Sequence, residues 1–163
     1  LLFGISFILG FGLEMVFAYF AIMPYRAVSG GFHLHTHLGC IIGSAIFYYG
    51  DVLISKFLVL GSVEKYILVA LSLIFGILMV SMYAPADTEN VPIISKKERK
   101  TKKILSYITL ILTLVVALII PNQVYSNILI IGTIIQSMSI TSIAYKLTKN
   151  KFGYREYIKQ SQN

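Results

Sequence analysis

Three stretches of this chain carry no charged residue: Tyr66 to Tyr83, Ile104 to Ile120 and Ile128 to Tyr145. At about 1.5 Å of rise per residue, each comes near to crossing a hydrocarbon core of about 30 Å as a single helix. A fourth apolar run, Leu1 to Pro24, is broken only by Glu14. A fifth, Leu38 to Leu60, is apolar as far as Gly50 and then admits Asp51 and Lys56, so it reads either as one distorted span or as two short helices around a break. The whole chain is 56% hydrophobic and 13% charged over 163 residues, with a mean hydropathy of +0.78. A soluble domain is roughly 45–50% apolar and about 25% charged. Disorder requires the opposite bias, and a soluble fold of this length could not bury so much apolar surface. Spanning segments in lipid must satisfy their own backbone groups, which helices do. The expectation is therefore an all-α polytopic membrane bundle of about five spans, with Leu38–Leu60 the one open to being broken or re-entrant, and a single domain over residues 1–163.

Charge sets the orientation. The net charge of +7 is concentrated in Lys96 to Lys103 and Lys146 to Lys159, both abutting apolar runs. Neither patch lies in a nucleic-acid-reading motif. They read as cytoplasmic segments facing anionic headgroups, which places the uncharged Pro121–Asn127 connection outside. If Leu38–Leu60 crosses, the segment from Arg26 to Cys40 lies at the cytoplasmic surface; if not, it lies outside.

That segment, Arg26-Ala-Val-Ser-Gly-Gly-Phe-His33-Leu-His35-Thr-His37-Leu-Gly-Cys40, holds every histidine and the one cysteine. No internal disulfide is possible. The residues allow a Cys–His nucleophilic pair, a metal site of His33, His35, His37 and Cys40, or a plain interfacial loop around an inert thiol. His37, three residues before Cys40, could reach it on an unbroken helix. His33, seven residues away, would stand roughly 10.5 Å off along the axis, so a His33–Cys40 pair requires the backbone to fold back. A helix starting near residues 36–38 would put Cys40 in its first turn, where the dipole favours an anion. An alternating His-x-His-x-His set shares a face only in a strand, and a lone strand in lipid leaves its backbone unsatisfied. Beyond the Tyr66–Tyr83 run, Tyr83-Ala-Pro-Ala-Asp87-Thr-Glu-Asn-Val-Pro-Ile93 reads as a rigid, turn-rich exit into the basic stretch. Glu14 is a carboxyl within a span and expected to face the bundle interior, protonated or paired with Arg26.

Together the two segments resemble the accessory gene regulator B (AgrB) family of membrane cysteine endopeptidases. The resemblance rests on Arg26, Gly31, His33 and Cys40 in order, followed by the Tyr-Ala-Pro-x-Asp-x-x-Asn-x-Pro-Ile segment from Tyr83 to Ile93 and a Lys-rich stretch, in an apolar framework covering essentially the whole chain. It implies that Cys40 is the nucleophile and His33 its base, in preference to His37. Basic residues are common in the family at His35 and His37, marking these as headgroup- or substrate-facing, while Val91 stands where Lys is common. A further N-terminal segment is usual in the family and fits a chain that begins at Leu1. The implied substrate is an AgrD-like pheromone precursor peptide, cleaved through an acyl-enzyme thioester and cyclised to a thiolactone or lactone, at the bacterial plasma membrane with the site facing the cytoplasm. Arg26 is expected to clamp a substrate carboxylate or to anchor the span in headgroups. Gly30 and Gly31 are expected to permit the turn that returns His33 to Cys40, and Asp87 to orient His33. No cofactor or bound metal is expected, and a homodimer is. The rival readings are a zinc-dependent membrane protein using His33, His35 and His37, and a non-catalytic scaffold.

Overall fold

A computed structural model describes residues 2–34 and 36–162, so Leu1, His35 and Asn163 lie outside the described residues. The described residues form eight helices: α1 (Leu2–Ile8), α2 (Gly12–Ser29), α3 (His37–Phe57), α4 (Ser62–Tyr83), α5 (Lys96–Ile119), α6 (Gln123–Ser139), α7 (Ser142–Leu147) and α8 (Gly153–Gln162). The molecule is an all-α membrane bundle, in which α3, α4 and α5 are long and apolar enough to cross a membrane.

The structure corrects the sequence reading at some places and settles an open alternative at another. The first apolar run is not one helix. It breaks where Gly10 takes a φ of 79°, and α2 then runs through Pro24 to Ser29. Proline withdraws one N–H from the helix ladder, but bundle neighbours make such a gap tolerable in a membrane helix. The doubtful run from Leu38 is one unbroken helix, α3, whose start is capped by the Thr36 hydroxyl accepting from the Gly39 amide at 3.0 Å. Its two charged residues are absorbed sideways. Asp51 is buried against α6, where a Cβ on Gly132 would stand 2.7 Å from its Oδ2. Lys56 pairs with Glu14 of α2 at 3.0 Å, so Glu14 meets Lys56 and not Arg26. The basic run from Lys96 is no loop but the opening turns of α5, where Ser95 and Glu98 stand at capping-box spacing and the Ser95 hydroxyl accepts from the Glu98 amide at 3.4 Å. The last apolar run bends at Ile140–Thr141, dividing α6 from α7.

Helix α6 lies at the centre and packs against α2, α3, α4 and α5. It is also the helix with the most buried polar side chains, an inversion of the soluble pattern. Ser126 donates to the Ala117 carbonyl at 2.6 Å, Asn127 to Leu58 at 2.7 Å, and Ser137 shares a 2.9 Å hydrogen bond with the Tyr25 hydroxyl. Large apolar side chains of the outer helices point away from the bundle, among them Leu71, Ile74, Leu112 and Ile119. Lipid tails are as apolar as leucine, so burying leucine gains little in a membrane, and small or hydrogen-bonding residues hold the helices together. Because α3 is continuous, the end of α2, the start of α3, the end of α4, the start of α5 and the end of α6 all meet at one end of the bundle.

Candidate active site

At that end the chain leaves α2 at Ser29 and enters α3 at His37, with one short stretch between them. Gly30 takes φ 78° and ψ −151°, and its amide closes α2 by donating to the Arg26 carbonyl at 2.9 Å. The stretch then lies alongside the exit segment that follows α4. The Ala86 amide donates to the Ser29 carbonyl at 2.8 Å, and the Gly31 amide donates to the Ala86 carbonyl at 3.0 Å. The two segments singled out in the sequence are thus one structural unit: the proline-bracketed exit braces the glycine turn.

Gln136 of α6, fully buried, holds the same turn from inside the bundle. Its Nε2 donates to the Gly30 carbonyl at 2.8 Å and the Ser29 hydroxyl at 3.0 Å, and its Oε1 accepts from Arg26 at 3.1 Å. Farther along, Asn150 donates to the His33 carbonyl at 2.8 Å, and the Tyr145 hydroxyl donates to the Ala86 carbonyl at 2.8 Å. The sequence marks Gln136 only as a polar residue in an apolar run. Its partners lie 106 to 110 positions away, a distance no local pattern reveals. Asn150 and Tyr145 carry no signal of their own. Gln136→Leu removes these bonds and strands buried partners, so it is expected to lower stability by about 2–4 kcal/mol. A shifted unfolding midpoint in a detergent titration checks this; an unchanged midpoint would remove Gln136 from the brace.

Held this way, the chain folds back on the start of α3. The Cys40 thiol, in the first turns of α3, donates to the Leu34 carbonyl at 3.2 Å. His33, next to Leu34, and Cys40 line a common cavity of about 440 Å³ together with Arg26, Met23, Phe32 and Phe47. The imidazole stands at the rim. Burial of part of the ring, and secondly the Arg26 charge, hold it below its ordinary value of 6.5, so His33 is a neutral imidazole at pH 7.

The other candidates are placed as follows. Arg26 lines the cavity but directs one nitrogen to Gln136 and another to the Phe32 carbonyl at 3.3 Å, and stands 5.5 Å from the centre of the Phe47 ring. Gly31 lies beside Ser139, whose Oγ would be 2.9 Å from an added Cβ. His37 opens α3 and is exposed. Asp87 belongs to a separate polar cluster and makes no orienting hydrogen bond to His33. Its Oδ2 accepts from Arg99 at 3.0 Å and from the Ile93 and Tyr154 amides at 2.9 and 3.0 Å. The reason is local: the segment curls so that Asp87 closes its own turn and ties it to α5 and α8. Among the described residues no group of three His, Cys, Asp or Glu side chains converges in a way that could hold a metal ion, and His35 lies outside them.

A family model described as accessory gene regulator B matches residues 1–140. The chain belongs to the AgrB family. An AgrB-like protein of Listeria monocytogenes is 33% identical over 98% of this chain and 75% of its own length. One from Clostridium acetobutylicum is 27% identical over 99% of this chain and 77% of its length. The accessory gene regulator protein B of Staphylococcus aureus is 30% identical over 88% of this chain and 73% of its length. No solved structure matches. In this AgrB chain the family match takes in the cavity, the glycine turn and its brace from the exit segment, and stops before Tyr145 and Asn150.

Proposed function

We propose that this chain is a membrane cysteine endopeptidase of the agr quorum-sensing system, which cleaves an AgrD-like precursor peptide and cyclises the pheromone segment. The observation that supports the reading is that Cys40 and His33, seven apart in sequence, line one cavity, with the Cys40 thiol donating to the carbonyl of Leu34 beside His33. A neutral imidazole suits the first step. His33 takes the thiol proton as Cys40 sulfur bonds to the scissile carbonyl carbon, then gives that proton to the leaving amine as the C–N bond breaks. The amides of His37 and Leu38, in the first turn of α3 and without intrahelical acceptors, are our candidate donors for the oxyanion. In the second step a cysteine or serine side chain of the peptide attacks the thioester, its proton passing through His33 to the departing Cys40 sulfur, and a thiolactone or lactone ring closes.

Thiol-to-thiol exchange is nearly balanced, while turning an amide into a thioester is uphill. The acyl-enzyme must therefore be shielded from water, and loss of the cleaved fragment must draw the reaction forward. Met23, Phe32 and Phe47 give the cavity an apolar wall for the first need, and holding the peptide nucleophile against the thioester gives ring closure its advantage over hydrolysis. The basic turns of α5 stand at the same bundle end as the cavity, which supports a plasma-membrane protein whose site faces the cytoplasm. Small residues on its helices support a homodimer.

The test uses proteoliposomes and a candidate precursor from the same genome. Mass spectrometry is expected to find the pheromone segment as an acyl group on Cys40 of the wild type and none on Cys40→Ala, which does not process the peptide. Processing by Cys40→Ala would end this reading.

A further inference from the structure

A second cavity, of about 390 Å³, opens between the end of α4, the first turns of α5 and the start of α8. It takes no part in the chemistry proposed above. Its walls carry four cations, Arg99, Lys100, Lys103 and Arg155, against one carboxylate, Asp87. That carboxylate is buried and paired through Oδ2, while its Oδ1 has no hydrogen-bond partner among the described residues. Its side chain is 1% exposed, and Oδ2 is held by Arg99 and two backbone amides. Among the described residues, three of these cations, Lys100, Lys103 and Arg155, therefore face the cavity with no carboxylate paired to them. Two are fixed in place: Lys103 donates to the Ser81 carbonyl at 2.6 Å, and the Arg155 guanidinium lies 4.6 Å from the centre of the Phe152 ring. That ring is itself clamped, stacked on Tyr145 at 4.1 Å. Arg99 lies similarly over Tyr154, at 4.3 Å.

The height of the cavity narrows what it holds. On α5 the apolar side chains exposed at the bundle surface begin at Ile104 and Leu105, directly after Lys103; on α4 Leu78 and Met82 are exposed just below Tyr83. The cations thus sit where the lipid-facing surface ends, with Tyr83 and Tyr154 beside them as interfacial aromatics. Lys96 and Lys97, a turn farther out and exposed, are placed for a soluble acidic peptide. The four in the cavity stand at that boundary, where lipid phosphates would lie.

We propose that this cavity binds the phosphate of an anionic phospholipid headgroup, with Lys100, Lys103 and Arg155 as its ligands. Charge attraction of this kind is worth a factor of about five per cation, so removing two is expected to weaken binding about thirtyfold.

The experiment is native mass spectrometry and thermal unfolding of the full chain in neutral detergent, titrated with phosphatidylglycerol or phosphatidylcholine. Wild type is expected to retain phosphatidylglycerol selectively and to melt at higher temperature with it. Lys100→Gln with Arg155→Gln, both exposed positions, is expected to lose the selectivity and the melting shift, while Lys100→Arg keeps both. Lys96→Gln with Lys97→Gln, an equal loss of charge outside the cavity, is expected to behave as wild type. Equal loss in both double variants would overturn the site in favour of diffuse attraction. Displacement of the lipid by inorganic phosphate, or by a soluble acidic peptide, would reassign the cavity to those ligands. Absence of any preference for the anionic lipid would end the proposal.

Discussion

Replacing His33 with alanine is expected to slow precursor processing by about 10²–10⁴-fold, the range over which a positioned acid–base group acts, while His37→Ala stays close to wild type. The difference follows from placement. Both side chains are exposed, but His33 lines the cavity that Cys40 lines and His37 does not. The same placement sets the pH dependence. Burial and the Arg26 charge both disfavour the imidazolium and lower the folded value of His33 below 6.5. As pH falls through that lowered value the ring takes up a proton and can no longer accept one from the thiol. The acid fall in processing is therefore expected to lie below that of an ordinary imidazole, in single-turnover measurements on proteoliposomes. Where His33→Ala retains some activity, its acid limb should no longer follow this ring. Full activity in His33→Ala with loss in His37→Ala would move the base to His37, which the helical spacing of three residues also permits.

The parts of this fold legible in the sequence are those in which a residue's surroundings are its chain neighbours. Helices α4 and α5 follow from uninterrupted apolar runs. The start of α3 follows from a threonine cap, and its continuity does not, because Asp51 and Lys56 are charges whose partners lie on other helices. Lys56 finds Glu14 on α2, and Asp51 turns into α6. Pro24 invites an early end to α2, yet Gly30 ends it, because positive φ stops a helix more firmly than one withdrawn N–H. The basic turns of α5 look like a loop when charge alone is weighed, until Ser95 and Glu98 are read as a cap.

The candidate site divides in the same way. Cys40 and His33 stand out by residue type, and the need for a backbone reversal between them follows from helix geometry. What makes the reversal is not local. Gln136 on α6 and Ala86 in the exit segment supply its hydrogen bonds, and Asn150 steadies His33 from beyond α7. The exit segment's role also changes once its partners are known. Asp87 is turned away from His33, and the residue before it, Ala86, works on the site through its backbone alone, so side-chain chemistry could not have revealed it.

That backbone contact makes Gly30 the position where the smallest change should do the most harm. An alanine there must hold φ at 78° with ψ at −151°, a region left almost wholly to glycine and costing other residues about 1–3 kcal/mol. The added Cβ would also stand 2.2 Å from the Ala86 carbonyl oxygen. This oxygen cannot step aside cheaply, because it accepts from the Gly31 amide at 3.0 Å and the Tyr145 hydroxyl at 2.8 Å. Either the bridge opens and the chain between Ser29 and His37 loses its course, or the fold bears the whole strain. Gly30→Ala is therefore expected to lower stability by about 3 kcal/mol or more and to abolish processing. Gly31→Ala carries backbone strain of its own at φ 144° but should be milder, since its Cβ meets the hydroxyl of Ser139 at 2.9 Å and a side chain can rotate. Gly50→Ala is the control: nothing lies within 4 Å of a Cβ there, and alanine inside α3 should gain about 0.5–1 kcal/mol. Thermal unfolding in detergent, with precursor processing measured on the same preparations, tests the order. A Gly30→Ala protein that melts and processes like wild type would show that the brace from the exit segment does not set the site.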